Sequence, residues 1–167
     1  MDSVCQFFSD ALERLLFKYM PTELEKHIGS GATTAMIFRI VKEATKNSAG
    51  DLMVDLMNIK DIKDALLACY LPYQKIGKPF EYEIVSENPL TVRVKKCPHY
   101  DFTEKKPLAC TACGAIKAGI IERLTGKKVR LELENGRKLG APDAEVIIKR
   151  TAHMPSGDEY CEFVIQQ

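Results

Sequence analysis

Four of the six cysteines and two of the three histidines in this 167-residue chain fall in three short segments of its C-terminal half. These are Cys97-Pro98-His99, Cys110-Thr111-Ala112-Cys113, and His153 followed eight residues later by Cys161. Thiolates combined with imidazole are the donors that Zn²⁺ prefers. Cys110 and Cys113, three apart at the start of a helix, project from one face, and the positive end of the helix favours their deprotonated forms. A tight turn through Ser156-Gly157 brings His153, at the end of one strand, and Cys161, inside the next, to one edge of a sheet. The candidate metal ligands are therefore Cys110, Cys113, His153, Cys161 and Cys97, with His99 beside them. The plain alternative is buried cysteine and hydrogen-bonded histidine. It suits Cys5 and Cys69, on apolar helix faces, but elsewhere it requires an accidental gathering of three segments. Redox catalysis through Cys110 and Cys113 is a further alternative. It lacks the preceding βαβ-type strand, and Thr-Ala separates the two thiols.

Composition narrows the field. Lys and Arg total 24 against 23 Asp and Glu, a net charge of +1, so no bulk field gathers a phosphate backbone and nucleic acid is not an expected partner. The pairs Lys95-Lys96, Lys105-Lys106 and Lys127-Lys128 read as solvated loop or strand ends. Apolar residues at 46% and charged residues at 28% are the proportions of an ordinary globular domain. Residues 1–19 carry Asp10, Glu13 and Arg14 inside an apolar pattern and no basic leader, so neither a signal peptide nor a membrane span is expected, and a cytoplasmic location is. In that reducing compartment cysteines serve as ligands, reactive thiols or core residues rather than as disulfides. Gly29-Ser30-Gly31 lacks the lysine and the preceding strand of a phosphate loop and reads as a turn between helices. Nothing suggests a nicotinamide or flavin site, and no catalytic or cofactor-binding residue is assigned.

The elements that must position the ligands follow from periodicity. Val4, Phe7, Phe8, Ala11, Leu12, Leu15, Leu16 and Tyr19 form the stripe of an amphipathic helix over 3–19 that Pro21 ends, with Thr22 able to cap a second. Ala35, Met36, Ile37, Ile40, Val41 and Ala44 repeat at helical spacing, and a further helix is expected over 51–70. Residues 80–85 and 90–94 alternate as strands joined through Glu87-Asn88-Pro89, a hairpin. A helix over 110–124 ends at Gly126. Strands are placed at 129–133, 145–150 and 159–165, separated by Asn135-Gly136 and Pro155-Ser156-Gly157-Asp158. The predicted fold is α+β: one domain spanning 1–167, helical over 1–71, with a hairpin, helix and strand meander over 72–167, its helical layer packed on a mostly antiparallel sheet.

The C-terminal run of Cys110, Ala118-Gly119, Leu124-Thr125-Gly126-Lys127 and Ser156-Gly157-Asp158-Glu159-Tyr160-Cys161-Glu162-Phe163 resembles the vinyl-4-reductase (4VR) domain family. The resemblance implies an apolar pocket, a homodimer and, in one branch, a structural zinc held by a cysteine opening the last long helix and a Glu-x-x-Cys-x7-Cys segment. Residue by residue, Cys110 takes the helix position, Cys161 the final one and His153 that of the middle cysteine. Arg150 stands in place of the glutamate and cannot coordinate, so either the site is lost or the fourth position passes to Cys113, Cys97 or His99, with Cys113 favoured because it lies within one helical turn of Cys110. The expected function is a binding module, sensor or carrier, for a small apolar molecule with a structural Zn²⁺. Phe7, Phe8, Phe38, Tyr70, Tyr73, Phe80 and Tyr82 are the candidate cavity lining, and Phe7 and Phe8 on the first helix the candidate dimer contact. The alternative is a metal-assisted hydrolase or reductase acting on a small organic substrate, suggested by a similar ending with a threonine followed by Gly-Asp-x-Tyr-Cys-x-Phe, here Thr151 and then Gly157 to Phe163, in proteins resembling thiazoline-carboxylate hydrolases.

Overall fold

The computed structural model describes residues 3–49, 58–75 and 77–167. Helix α1 (Ser3–Arg14) passes through a π-helical turn (Leu15–Tyr19) straight into α2 (Met20–Ala44), so Pro21 does not end the first helix. A proline ring presses on the carbonyl four residues earlier and offers no N–H. Here the preceding turn is widened, with the Met20 N–H bonded to the Leu15 carbonyl five residues back, and Pro21 is carried in the first turn of α2. The break comes instead at Gly29, whose φ of 75° and ψ of 161° no side-chain-bearing residue adopts at low cost, within the Gly-Ser-Gly turn the sequence predicts. A second π-helical turn (Thr45–Ala49) follows α2. Helix α3 (Ile62–Ala68) is capped by the Asp61 side chain, which accepts from the Asp64 N–H at 2.8 Å. The first part of the helix expected over 51–70 lies outside the described residues. A short helix, α4 (Leu71–Lys75), leads to the sheet.

Among the described residues six strands form one sheet in the order β1-β2-β6-β5-β3-β4. They are β1 (Glu81–Glu87), β2 (Leu90–Lys96), β3 (Val129–Glu132), β4 (Lys138–Gly140), β5 (Val146–Ala152) and β6 (Cys161–Gln166). The fold is α+β, as predicted, and all pairings are antiparallel except β3 with β5. The sequence reading places three strands after the last long helix. The structure adds β4, which pairs with β3 through a turn at Asn135-Gly136 before the chain crosses to lay β5 parallel to β3. Alternate residues of the central strands face the helices and are buried: Val92 and Val94, Val129 and Leu131, Val146, Ile148 and Arg150, Cys161, Phe163 and Ile165. Arg150 and Cys161 are thus inward-facing members of an otherwise apolar layer.

Helix α5 (Thr111–Thr125) is wrapped by that layer on one side and by α2 and α3 on the other. Its small residues allow this. A Cβ added to Gly119 would sit 2.6 Å from the Lys42 carbonyl oxygen, so α2 and α5 cross nearly backbone to backbone. Gly126, in the left-handed region at φ 70°, ends α5 and returns its N–H to the Glu122 carbonyl, as the Gly at this position predicts. Glu122 fixes the helix to its neighbours by accepting from Lys42 at 2.8 Å and from the Val129 N–H at 3.0 Å. A helix buried on nearly all sides has no solvated face on which to place a charge, and this bears directly on Lys117 in its middle. No described helix is long and apolar enough to cross a membrane.

Candidate metal centre

Every cysteine and histidine singled out in the C-terminal half lines one cavity between α5 and the sheet. Cys97, His99, Cys110, Cys113, His153 and Cys161 share it with Phe17, Tyr70, Phe80, Val94, Phe163 and Arg150. Cys97 follows the last residue of β2, and Val94 on the same strand sits opposite Cys161 across the β2–β6 pairing. Cys110 occupies the N-cap position of α5, without a side-chain cap hydrogen bond, and Cys113 lies in the first turn. His153 and Cys161 are joined by a 3-10 turn (Met154–Ser156) and Gly157 at φ 109°, and the Cys161 sulfur accepts from the Met154 N–H at 3.4 Å. Among the described residues no three His, Cys, Asp or Glu side chains converge closely enough to hold an ion as placed. Cys69 is a buried core residue, and the side chain of Cys5 lies outside the described set.

The tautomer of His153 follows from its partners. Ser156 donates its hydroxyl hydrogen to Glu134 Oε1 at 2.9 Å, so its oxygen must accept from His153 Nδ1, also at 2.9 Å. Nδ1 therefore carries the proton and Nε2 an unshared pair. That Nε2 is buried and has no hydrogen-bond partner among the described residues. Burial pulls the His153 pKa down and keeps the ring neutral, although Glu134 pulls the other way. A neutral imidazole held at Nδ1 by a hydroxyl–carboxylate pair, its other nitrogen unpartnered in a residue that shares a cavity with four thiols, is supported as a metal-ligating histidine is. The donor set therefore fits zinc on an observation independent of spacing.

Glu134 also accepts from Arg150 Nε at 2.6 Å. Burial raises the Glu134 pKa, but hydrogen bonds from His153 and Arg150 outweigh it and hold the carboxyl well below the usual carboxylate range. The buried guanidinium facing the cavity is thereby neutralised. The sequence reading misses Glu134 because the contact is made by the parallel β3–β5 register, which pairs Glu132 with Lys149 and so carries Glu134 alongside Arg150.

Burial pushes the Cys161 thiol up to about 11 and drives the Cys97 and Cys110 thiols up as well. Desolvation thus defeats the help Cys110 was expected to receive from the helix end, and a thiol so disposed becomes a thiolate only in the presence of a cation. That disfavours a thioredoxin-like nucleophile and favours a ligand. The Cys113 sulfur accepts a hydrogen bond from Lys117 Nζ at 2.9 Å. Lys117 is missed by the sequence reading, though its place four residues after Cys113 on an apolar helix is the signal that finds it.

No protein-family model matches the chain, and no curated protein is significantly similar to it. Function must therefore come from the chemistry of the site. Of the aromatics expected in the cavity, Tyr70 and Phe80 line it, and Tyr73 and Tyr82 pack against those two rings. Phe38 is buried in the core near β4, while Phe7 and Phe8 are exposed at 67% and 60%. Phe17 and Phe163 take their places in the wall. Phe17 stacks on His99 with ring centres 4.1 Å apart, and Tyr73 and Phe80 meet the same imidazole edge-on. His99 is thus the polar member of an aromatic wall. The cavity volume is only about 30 Å³, enough for a water or an ion.

Proposed function

We propose that this chain is a zinc-stapled domain in which Cys110, Cys113, His153 and Cys161 hold one Zn²⁺ between α5 and the β5–β6 edge, with Cys97 beside the site. The single observation that carries the reading is the orphaned, tautomerically determined Nε2 of His153 in a cavity shared with four thiols. Bound there, zinc would supply a tetrahedral cross-link and the positive charge that turns the buried thiols into thiolates. The residues themselves orient the donors: Ser156 and Glu134 aim the imidazole, the Met154 N–H steadies the Cys161 sulfur, and the aromatic wall excludes water.

A small organic ligand needs several hundred Å³. The metal half of the expected function is accordingly the half that this cavity favours. A closed four-ligand site also leaves no position for a substrate, which separates this reading from a metal-assisted hydrolase. Elemental analysis of purified protein, reconstituted under reducing conditions, should give about one zinc per chain, and Cys97→Ser should keep it. Occupancy well below one half in the unsubstituted protein removes the staple.

The α1 face supports a second copy of this chain as its cover. Phe7, Phe8, Leu12 and Leu15 are all more than half exposed, so an apolar stripe several turns long faces outward. Light scattering at micromolar concentration should give the dimer mass, and Phe8→Glu should give the monomer. A monomer without any substitution ends that proposal.

A further inference from the structure

Lys117 is fully buried, yet no carboxylate among the described residues bonds it. Its Nζ lies 2.9 Å from the Cys113 sulfur, 4.5 Å from the centre of the Phe163 ring and 4.8 Å from that of Tyr70. Two ring faces and a sulfur are the surroundings of an ammonium rather than of a neutral amine. Neither ring face supplies a formal counter-charge to this desolvated ammonium, and the sulfur it bonds is the group that acquires one on ligating a metal. Arg150, the buried cation that does line the cavity, already has its counter-charge in Glu134. Lys117, bonded to a lining residue, thus adds one positive charge beside the cavity that no carboxylate among the described residues compensates. Zn²⁺ with three thiolates and a neutral imidazole carries one negative charge, whereas four thiolates would carry two.

Resting on the zinc reading above, we propose that Lys117 is a positioning residue of the metal centre: bonded to the Cys113 sulfur, it sets the net charge the cavity accepts and so selects three thiolates and the His153 imidazole as the ligand set. It does this from outside the coordination sphere, as a hydrogen-bond donor to a metal-bound thiolate.

The test uses the full chain loaded with zinc or cobalt. X-ray absorption of the zinc protein should show three sulfurs and one nitrogen. In Lys117→Met, which keeps the length and apolar character of the stem, zinc affinity measured against a competing chelator should fall about 10- to 100-fold. The sulfur-to-cobalt charge-transfer band should move to lower energy, because the Cys113 sulfur loses its donor. A merely structural lysine would leave that band in place. Should the Met variant fail to fold, Lys117→Gln, neutral and shorter by one atom, is expected to change in the same directions. Four sulfurs at the metal, or a variant that binds zinc within about threefold of the unsubstituted protein with an unmoved band, overturns the role of Lys117 and leaves the zinc site standing. Unsubstituted protein that takes up no metal overturns the zinc site and this inference with it.

Discussion

Replacing Cys161 by serine is expected to abolish stoichiometric zinc binding and to lower the melting temperature by about 10 °C. The thiolate lost is the one that joins β6 to the site, and the remaining donors all lie on α5 and the turn before β6. Metal bound only by the folded chain stabilises it by about 4 kcal/mol when free zinc is a thousand times its dissociation constant. For a chain of this length each kcal/mol shifts the midpoint by about 2–4 °C. The apolar core between α5 and the sheet is extensive, so the variant should still fold, unlike a zinc finger, whose stability comes from the metal alone. The measurement is a pair of melting curves with and without chelator for each protein. Chelator should move the unsubstituted chain to the position of the variant and leave the variant where it was. Two proteins that melt together in both conditions would show that no metal contributes to the fold.

Acidification from pH 7 to pH 4 is expected to remove about 3 kcal/mol of stability through His99 alone. Burial lowers the pKa of this ring from 6.5 to about 3 in the folded chain, and the charges of Lys117 and Lys78 push the same way. The unfolded chain therefore takes up a proton as pH falls through 6.5, and the folded chain refuses it until about pH 3. Stability is full above 6.5 and declines across the window between those two values, by about 1.4 kcal/mol per pH unit. His99 is only 3% exposed, so solvent screens little of this. Glu134 adds to the loss at the acid end. Its folded pKa lies well below 4.5, so its contribution is present above 4.5 and disappears as pH falls through the lower value. The check is chemical unfolding at several pH values, in chelator so that acid displacement of metal does not enter. His99→Phe keeps the stack on Phe17 and removes the titrating nitrogens, and its stability should vary far less between pH 7 and 4. An unchanged slope would show that the His99 ring takes up its proton without leaving the wall.

Local chemistry was enough to read much of this protein. The β1–β2 hairpin, the asparagine-proline turn within it, the glycine ending α5 and the Gly29 break are decisions made within a few residues, where strand propensity and φ preference act alone; the period of two fails in β1, whose register shifts leave both Ile84 and Val85 exposed. The candidate ligands were legible for the same reason, because cysteine and histidine carry their donor chemistry wherever they lie, and all of them line one cavity. What the tertiary structure decided are the facts that depend on distant backbone. Pro21 was misread as a stop because a π-helical turn ahead of it relieves the clash that proline usually causes. Phe7 and Phe8 looked like cavity lining by type, but the helix that bears them turns that face outward, while Phe17 and Phe163 fill the wall. The charge balance of the site belongs to tertiary structure entirely. Glu134 meets Arg150 and His153 only because β5 lies parallel to β3, and Lys117 loses its water only because α5 is enclosed on both sides. A lysine or glutamate announces its charge in the sequence; its desolvation and its partner are set by the packing of segments far along the chain, and these are what make the site electrostatically specific.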